Sequence, residues 1–562
     1  MMRRTFHFLP TLPALLLATA VSADTPPSPR TVAAEATRLL EQHVPADGPG
    51  MAVLVARGDE ILYRGARGKA SIELGVPLSP DHVFRIGSVT KQFAAAGLLK
   101  LVDEGKVALD DPLSRFLPDY PNGDAITVAQ LLNHTSGIQS YTSIPSYMDQ
   151  DIRRDVDTDA LIAVFKDKPA PFAPGSDWDY NNSGYVLVGA VIEKASGKGW
   201  SAYLDEVLFK PLSLDHTRDG AGLAIVAGHA SGYSTGSDGF SRATPISMTQ
   251  PHAAGALLST VDDLWRWNRA LHGGKVLSAD SYMRMTTPEG KAAENGRNYG
   301  YGIFRTTVRN RTAFEHGGGI NGFLSDLFYL PDSGVSVAVL RNADGEGGAT
   351  VGLIARKLAA VAIGDPYPEQ VAVAMAPAEL KALEGVYRKD ADNARVLRMR
   401  DGALTSQRSG GPVFTLVPLG NDRFGFGDGS LSLLEIDRDA SGAPTGLRLI
   451  SGGEGEGELW TRSQEALPDA PVTVELPREA LDRVVGQYEA EGISWRVFFD
   501  DAGMLRVQVP GQPAFALLPM SPTLFRIAEV DARFEFGPET GDVQTCRLEQ
   551  GAVRIEARRK PD

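Results

Sequence analysis

The chain of 562 residues contains a single cysteine, Cys546. No disulfide can form within it, and no cysteine-ligated zinc site can be built. A domain large enough to bury its own core needs no such staples. The nine histidines are scattered, with no H-x-x-x-H or H-E-x-x-H spacing, so a metal site has no support. Positive charge is also in short supply: the formal net charge is -14, and no basic cluster interrupts it. That argues against a nucleic-acid partner, which would require grouped Lys and Arg. Long apolar runs are missing after the N-terminus, so no stretch there can span a bilayer.

The one N-terminal apolar run reads as part of a secretory signal. Arg3 and Arg4 precede Leu12 to Val21, and Val21-Ser22-Ala23 fits a small-residue cleavage site. The mature protein is then expected to start near Asp24 and to act in the periplasm or outside the cell, with no stable membrane span after cleavage. A retained anchor is the other reading.

From about Thr31 to Ala360 helix and strand signals alternate. Met51 to Val55 and Ile61 to Tyr63 flank Gly58-Asp59 as in a hairpin. Ala94 to Val102, Trp200 to Leu208 and Leu264 to Leu271 read as helices, Val335 to Leu340 as a strand and Val351 to Ala362 as an apolar helix. A sheet built from both ends of this region and covered by helices follows. Beyond the Pro- and Ala-rich segment after Pro366 the pattern becomes short strands and Gly-rich turns.

The C-terminal part repeats at an offset of 101 residues. Leu380, Leu383, Gly385 and Tyr387 recur as Leu481, Val484, Gly486 and Tyr488; Phe414, Leu416, Pro418 and Phe424 recur as Phe515, Leu517, Pro519 and Phe525. Two copies of one small all-β domain are expected, each with about eight strands and hence a closed barrel. The expected organisation is a signal peptide at 1–23, a first domain at 24–365, a linker at 366–378, a β-barrel at 379–463, a second linker at 464–477 and a second β-barrel at 478–562.

Three segments carry chemistry. In Ser88-Val89-Thr90-Lys91, at the start of an apolar helix, Ser88 and Lys91 share a helix face. A lysine buried there favours its neutral, basic form, and the helix N-terminus offers N–H groups to an oxyanion. The same stretch also suits a capping serine with a solvated lysine. In Asp179-Tyr180-Asn181-Asn182-Ser183-Gly184, the phenol of Tyr180 can relay a proton and Asn182 can hold a substrate carbonyl or amide, although a capped loop reads equally well. In His316-Gly317-Gly318-Gly319, the glycines let backbone approach a ligand and present N–H groups to an oxyanion, or form a plain glycine-rich loop.

The order S-x-x-K, Tyr-x-Asn, His-x-Gly resembles the three motifs of the penicillin-recognising serine hydrolases. It is most similar to the branch containing class C β-lactamases, D,D-peptidases, D-aminopeptidases and esterases. Leu131-Leu132-Asn133-His134-Thr135-Ser136-Gly137, Pro174-Gly175, Tyr299-Gly300-Tyr301-Gly302, Ala254-Gly255, Leu258-Ser259-Thr260 and Asp263-Leu264 fit the same branch.

The resemblance implies an α/β (α+β) β-lactamase/transpeptidase-like catalytic domain, its antiparallel sheet flanked by helices, ahead of the two barrels. It also implies an acyl-enzyme on Ser88, proton transfer by Lys91 and Tyr180 with either as base, and an oxyanion hole at Ser88 and Gly319 beside Gly318. Asn182 would orient the substrate and His316 would act as donor or relay, with no cofactor and a small-molecule or peptide substrate.

The third motif departs from the Lys-Thr-Gly of β-lactamases, so the fixed cation and hydroxyl that grip a carboxylate are missing. His-x-Gly is what esterases and D-aminopeptidases of this branch carry. Tandem barrels also resemble D-aminopeptidases, in which a loop of the last barrel enters the cleft to read a free amine. The corresponding region is Leu524 to Phe536, with Glu529 and Asp531; the other acidic loop is Gly452 to Glu458. The readings are a D-amino-acid peptidase or amidase, a small-ester esterase, a weak β-lactamase, or a cell-wall binding or sensor protein that has lost catalysis.

Overall fold

The computed structural model describes residues 27–562 apart from 237–238, 346–349, 428, 469–472, 491–492, 501–502, 510–513, 528–529, 552 and 561–562. The signal sequence expected at 1–23 lies outside the described residues. Among these residues no helix is long and apolar enough to cross a membrane.

Alternating side chains build the central sheet. In β1 (Met51–Arg57) Ala52, Leu54 and Ala56 point to one core while Val53 and Val55 point to the other, the two-residue period of an extended chain. Strand β1 pairs with β2 (Glu60–Arg67) through the turn at Gly58, whose φ of 55° suits glycine. It pairs on its other side with β6 (Val335–Arg341), contributed from late in the chain. With β3 (Phe304–Val308), β4 (Arg311–Ile320) and β5 (Phe323–Leu330) the order is β3-β4-β5-β6-β1-β2, antiparallel throughout.

Helices α1 (Pro29–His43) and α5 (Thr350–Ala362) cover the Val53 and Val55 face, through Val32, Ala36 and Leu39 from α1 and Ile354 and Leu358 from α5. Helices α2 (Thr90–Asp103), α3 (Asn182–Ser196) and α4 (Val261–His272) fill the opposite side, where Phe93 of α2 stacks on Trp267 of α4. The helix expected at Trp200–Leu208 is regular only to Leu204 and continues as a wider π-type turn over Asp205–Phe209.

Beneath α5 the sheet buries a carboxyl. Asp326 of β5 is 9% exposed, and its Oδ1 has no hydrogen-bond partner. Burial, and then the nearby Glu315, push its pKa well above the ordinary 3.8. Above pH about 4 the unfolded chain releases this proton while the fold retains it, so stability falls as pH rises toward the folded value. Asp326→Asn is therefore expected to raise the thermal midpoint by an amount that grows from pH 4 to pH 7. An advantage independent of pH would show the carboxylate ionised beside Arg356.

The C-terminal strands form two barrels. The second, from Gly486–Ala490 to Val553–Arg559, is a closed ring of eight strands. The first has nine strands in the order of an open sheet, because the segment matching Phe515–Pro519 is broken at Leu416 into Val413–Thr415 and Val417–Gly420, which pair with opposite neighbours. The ring is completed through the chain itself. Equivalent positions make equivalent bonds: the Tyr387 hydroxyl donates to Leu383 O and the Tyr488 hydroxyl to Val484 O, each at 2.8 Å, and Val373 N–H donates to Pro418 O as Val474 N–H does to Pro519 O, each at 2.9 Å.

Candidate active site

Ser88 lies in a 3-10 turn, Gly87–Val89, that leads into α2, rather than within the helix. Gly87 makes the turn possible with φ of 49°, and a β-carbon there would stand 2.9 Å from Gly319 N. Lys91 follows on the first turn of α2 and is 0% exposed. Its Nζ lies 2.8 Å from Asn182 Oδ1, 2.9 Å from Ala254 O and 3.1 Å from Ser88 Oγ.

Two of these neighbours are pure acceptors and the third is a hydroxyl. A neutral amine satisfies all three: it donates to Asn182 and Ala254 and accepts the Ser88 proton on its lone pair. Burial pushes the Lys91 pKa well below the ordinary 10.5, toward that neutral form. The capping-serine reading with a solvated lysine does not survive this burial.

Tyr180 places its ring 4.7 Å from Lys91 Nζ. Its hydroxyl is buried without a hydrogen-bond partner, and burial raises its pKa, with Ser88 close enough to oppose that rise. Tyr180 is thus held as a protonated phenol beside the serine. Asn181 caps α3, its Oδ1 accepting from Gly184 N–H at 2.8 Å. Asn182 opens α3 with both ends of its amide engaged, as Nδ2 donates to Thr142 Oγ1 at 3.1 Å. It therefore anchors Lys91, and its amide keeps a second N–H and a second lone pair beyond these two bonds.

His316 is 1% exposed and saturated. Its Nδ1–H donates to Gly317 O at 2.6 Å, and its Nε2 lies 3.1 Å from the Tyr299 hydroxyl, which donates to it. Burial, and then Lys91, push its pKa down to about 3. It is a neutral, occupied imidazole, not a free donor.

His134 holds a position in the site that its motif alone does not disclose. With φ of 65° it turns its ring under Tyr180, 4.4 Å away, and Tyr299, 4.6 Å away. Its Nδ1 accepts from Asn181 N–H at 3.1 Å, which ties this ring to the turn carrying Tyr180 and Asn182. The positive φ, tolerated better by His than by most residues, leaves no mark in hydrophobic periodicity.

The glycines of β4 explain the close approach of the sheet to Ser88. Pairing of β3 with β4 ends at Phe304 opposite Glu315, so Gly317 to Gly319 face the turn carrying Ser88 along an uncovered edge. A β-carbon on Gly318 would overlap the Ile86 carbonyl oxygen and Ser325 Oγ and stand 3.0 Å from Ser88 N. Ser325 Oγ donates to Ile86 O at 2.8 Å, which pins the turn to the sheet. The backbone nitrogens of Ser88 and Gly319 are therefore brought to one place.

Among the described residues, the acidic side chains of the two barrel loops bond groups away from this site. Glu454 docks at the far end of β3 and β4, accepting from Arg309 N–H at 2.6 Å and the Thr307 hydroxyl at 2.9 Å, and it bonds the Tyr367 hydroxyl. That hairpin end is seven residues of β4 from Gly318, roughly 24 Å at 3.4 Å per residue. Asp531 turns to the first barrel, its Oδ2 accepting from Gly410 N–H at 3.1 Å. Glu529 lies outside the described residues. Both loops are held by neighbouring backbone, which sequence spacing does not encode. No group of three or more His, Cys, Asp or Glu among the described residues is placed to hold a metal.

Residues 37–361 match the Beta-lactamase family model, and the chain belongs to this family of serine hydrolases. Esterase EstB of Burkholderia gladioli is 38% identical over 29% of this chain and 45% of its own length. The D-aminopeptidase of Gluconobacter oxydans is 26% identical over 58% of this chain and 61% of its own length. The chain thus spans less than two thirds of these relatives. The D-amino acid amidase of Ochrobactrum anthropi complexed with D-phenylalanine superposes with a TM-score of 0.53 at 26% identity, over 60% of this chain and 98% of the amidase.

Proposed function

We propose that the protein is an exported serine hydrolase that forms an acyl-enzyme on Ser88 and cleaves amide bonds of D-amino-acid-containing peptides or amides. The observation that carries the reading is the Lys91 amine, buried and held by two acceptors with its third direction toward Ser88 Oγ. Ser88 Oγ attacks the acyl carbon as its proton passes to Lys91. The N–H groups of Ser88 and Gly319 receive the oxyanion. The Tyr180 hydroxyl gives its proton to the leaving amine and regains one from Lys91. Water then attacks the acyl-serine, its proton retracing this route, and Ser88 is released. Lys91 is the base in this scheme, since the raised pKa of Tyr180 keeps the phenol protonated.

The family relatives named D-aminopeptidase and D-amino acid amidase support the substrate class. Two observations favour an esterase as the second reading: the likeness to EstB, and the neutral, occupied His316 where β-lactamases carry a cation. The same absence of a cation disfavours β-lactam hydrolysis. The intact set of Ser88, Lys91 and Tyr180 disfavours a binding protein without catalysis. Export rests on Arg3, Arg4 and the run Leu12 to Val21, and N-terminal sequencing of the secreted product should begin at Asp24.

The test compares D-alanine p-nitroanilide, its L-isomer and p-nitrophenyl butyrate, with Ser88→Ala as control. Ser88-dependent turnover of the D-anilide, faster than that of the L-isomer, is the expected result. Turnover of the ester alone would replace the amidase reading with the esterase one.

A further inference from the structure

The two barrels meet along a narrow seam. Gly410 and Gly411 of the first barrel bond Asp531 of the second, and Gln550 Nε2 donates to Gly410 O at 2.8 Å. Beside the seam a cleft of about 330 Å³ opens between the barrels, remote from Ser88 in sequence and built from neither β-lactamase motif nor sheet. That volume lies in the range of small-molecule sites.

Its lining opposes the charge of the whole chain. Among the described residues, six arginines face it, Arg388, Arg398, Arg400, Arg408, Arg526 and Arg533, against two carboxylates, Glu465 and Asp531, in a protein of net charge -14. Alternation along Ala394–Arg400 places Arg398 and Arg400 on one face of their strand, turned to the second barrel. Across the cleft, Arg526 and Arg533 stand directly opposite each other on paired strands.

Both carboxylates are already committed. Glu465 takes Arg388 in a two-pronged pair, at 2.6 and 3.0 Å, and Asp531 accepts from Gly410. Among the described residues, none of Arg398, Arg400, Arg408 and Arg533 has a carboxylate at ion-pair distance. Arg398 donates to Pro468 O, and Arg400 lies 3.3 Å from Gln407 Oε1. Burial lowers the pKa of Arg400, and Arg526 and Arg398 lower it further, so the two barrels feel each other's charge. Repulsion of this kind between two domains is relieved by a bound anion.

We propose that this inter-barrel cleft is a binding site for a ligand carrying two or more linked phosphoryl groups. A planar carboxylate matches a single guanidinium fork, as Glu465 matches Arg388. A tetrahedral phosphoryl group directs its oxygens along several axes and carries more charge. It suits guanidinium groups that arrive from two domains in different planes. A free polyphosphate and a diphosphate diester offer the same chemistry. The site is independent of the hydrolytic reading, because no residue near Ser88 takes part.

The test is isothermal titration of the mature chain with inorganic tripolyphosphate, ADP-ribose and citrate at matched ionic strength of about 0.15 M. Tripolyphosphate should bind saturably with one site per chain. Binding of ADP-ribose as well would identify a diphosphate diester as the natural form, and its absence a free polyphosphate. Arg400→Gln with Arg526→Gln should weaken tripolyphosphate at least about tenfold, the loss expected for removing charged hydrogen bonds. Arg408→Gln with Arg533→Gln, both exposed and harmless to folding, should weaken it in the same direction. Ester or anilide turnover should stay unchanged in all four substitutions. Citrate binding as tight as tripolyphosphate, or affinity unmoved in both double variants, would overturn the proposal.

Discussion

Ser88→Ala is expected to lower kcat by about ten-thousandfold or more on every acyl substrate, with the fold unchanged. Lys91→Met should follow with a loss of about a thousandfold. The two residues act as one unit, since the proton leaving Ser88 Oγ has Lys91 Nζ as its acceptor 3.1 Å away. The double variant should therefore be no slower than Ser88→Ala alone. Methionine preserves the buried stem of Lys91 while removing the amine, so its effect reports chemistry in place of packing.

The pH profile supplies the sign. The base is active when neutral, and burial lowers its pKa well below 10.5. Activity should rise with pH through that lowered value and level off before an ordinary lysine would titrate. A limb rising near 10.5 would show Lys91 to be solvated and would remove it as the base.

Gly318→Ala should destabilise the protein by about 3 kcal/mol or more, the scale of a forced overlap in a packed interior, and lower kcat at least a hundredfold. The added carbon would strike the Ile86 carbonyl, which cannot yield without moving the turn that carries Ser88, and would displace Ser325 Oγ, which pins that turn to the sheet. Gly319→Ala is the control. Its β-carbon would meet only Leu324 Cδ2 at 3.5 Å, an ordinary contact. The neighbouring glycine should accept alanine with little change in melting temperature. Equal losses at the two positions would contradict the account of how β4 approaches the nucleophile turn.

Much of the fold was legible because it rests on short-range pattern. The apolar run Met51 to Val55 beside Gly58-Asp59 reads as one arm of a hairpin, and the structure divides its side chains between two cores. The 101-residue offset predicts paired barrels, and the Tyr387 and Tyr488 bonds repeat with it. The break of the first barrel at Leu416 was not legible, because the pairings on either side of it repeat in the second barrel: Phe414 lies opposite Ser406 as Phe515 lies opposite Val507, and Pro418 opposite Phe424 as Pro519 opposite Phe525.

The site divides in the same way. Ser88 and Lys91 come together through their three-residue spacing across the 3-10 turn and the first turn of α2. Asn182 could be named as a candidate, but its partnership with Lys91 spans 91 residues and depends on how α2 and α3 cross. His316 could be named too, but its saturation by Tyr299 and Gly317 could not. The acidic barrel loops could be named as candidates by resemblance, but not the backbone groups that Glu454 and Asp531 bond.

The sequence by itself determined what adjacent residues dictate: strand and helix periods, the serine–lysine spacing, the repeat, and the absence of disulfides from a chain with one cysteine. Only the tertiary structure decided the burial that lowers the pKa of Lys91 and of His316, the approach of Gly318 to Ser88 and the gathering of six arginines between the barrels. These depend on dielectric surroundings and through-space distances between segments far apart in the chain. Both arise only once the elements have packed.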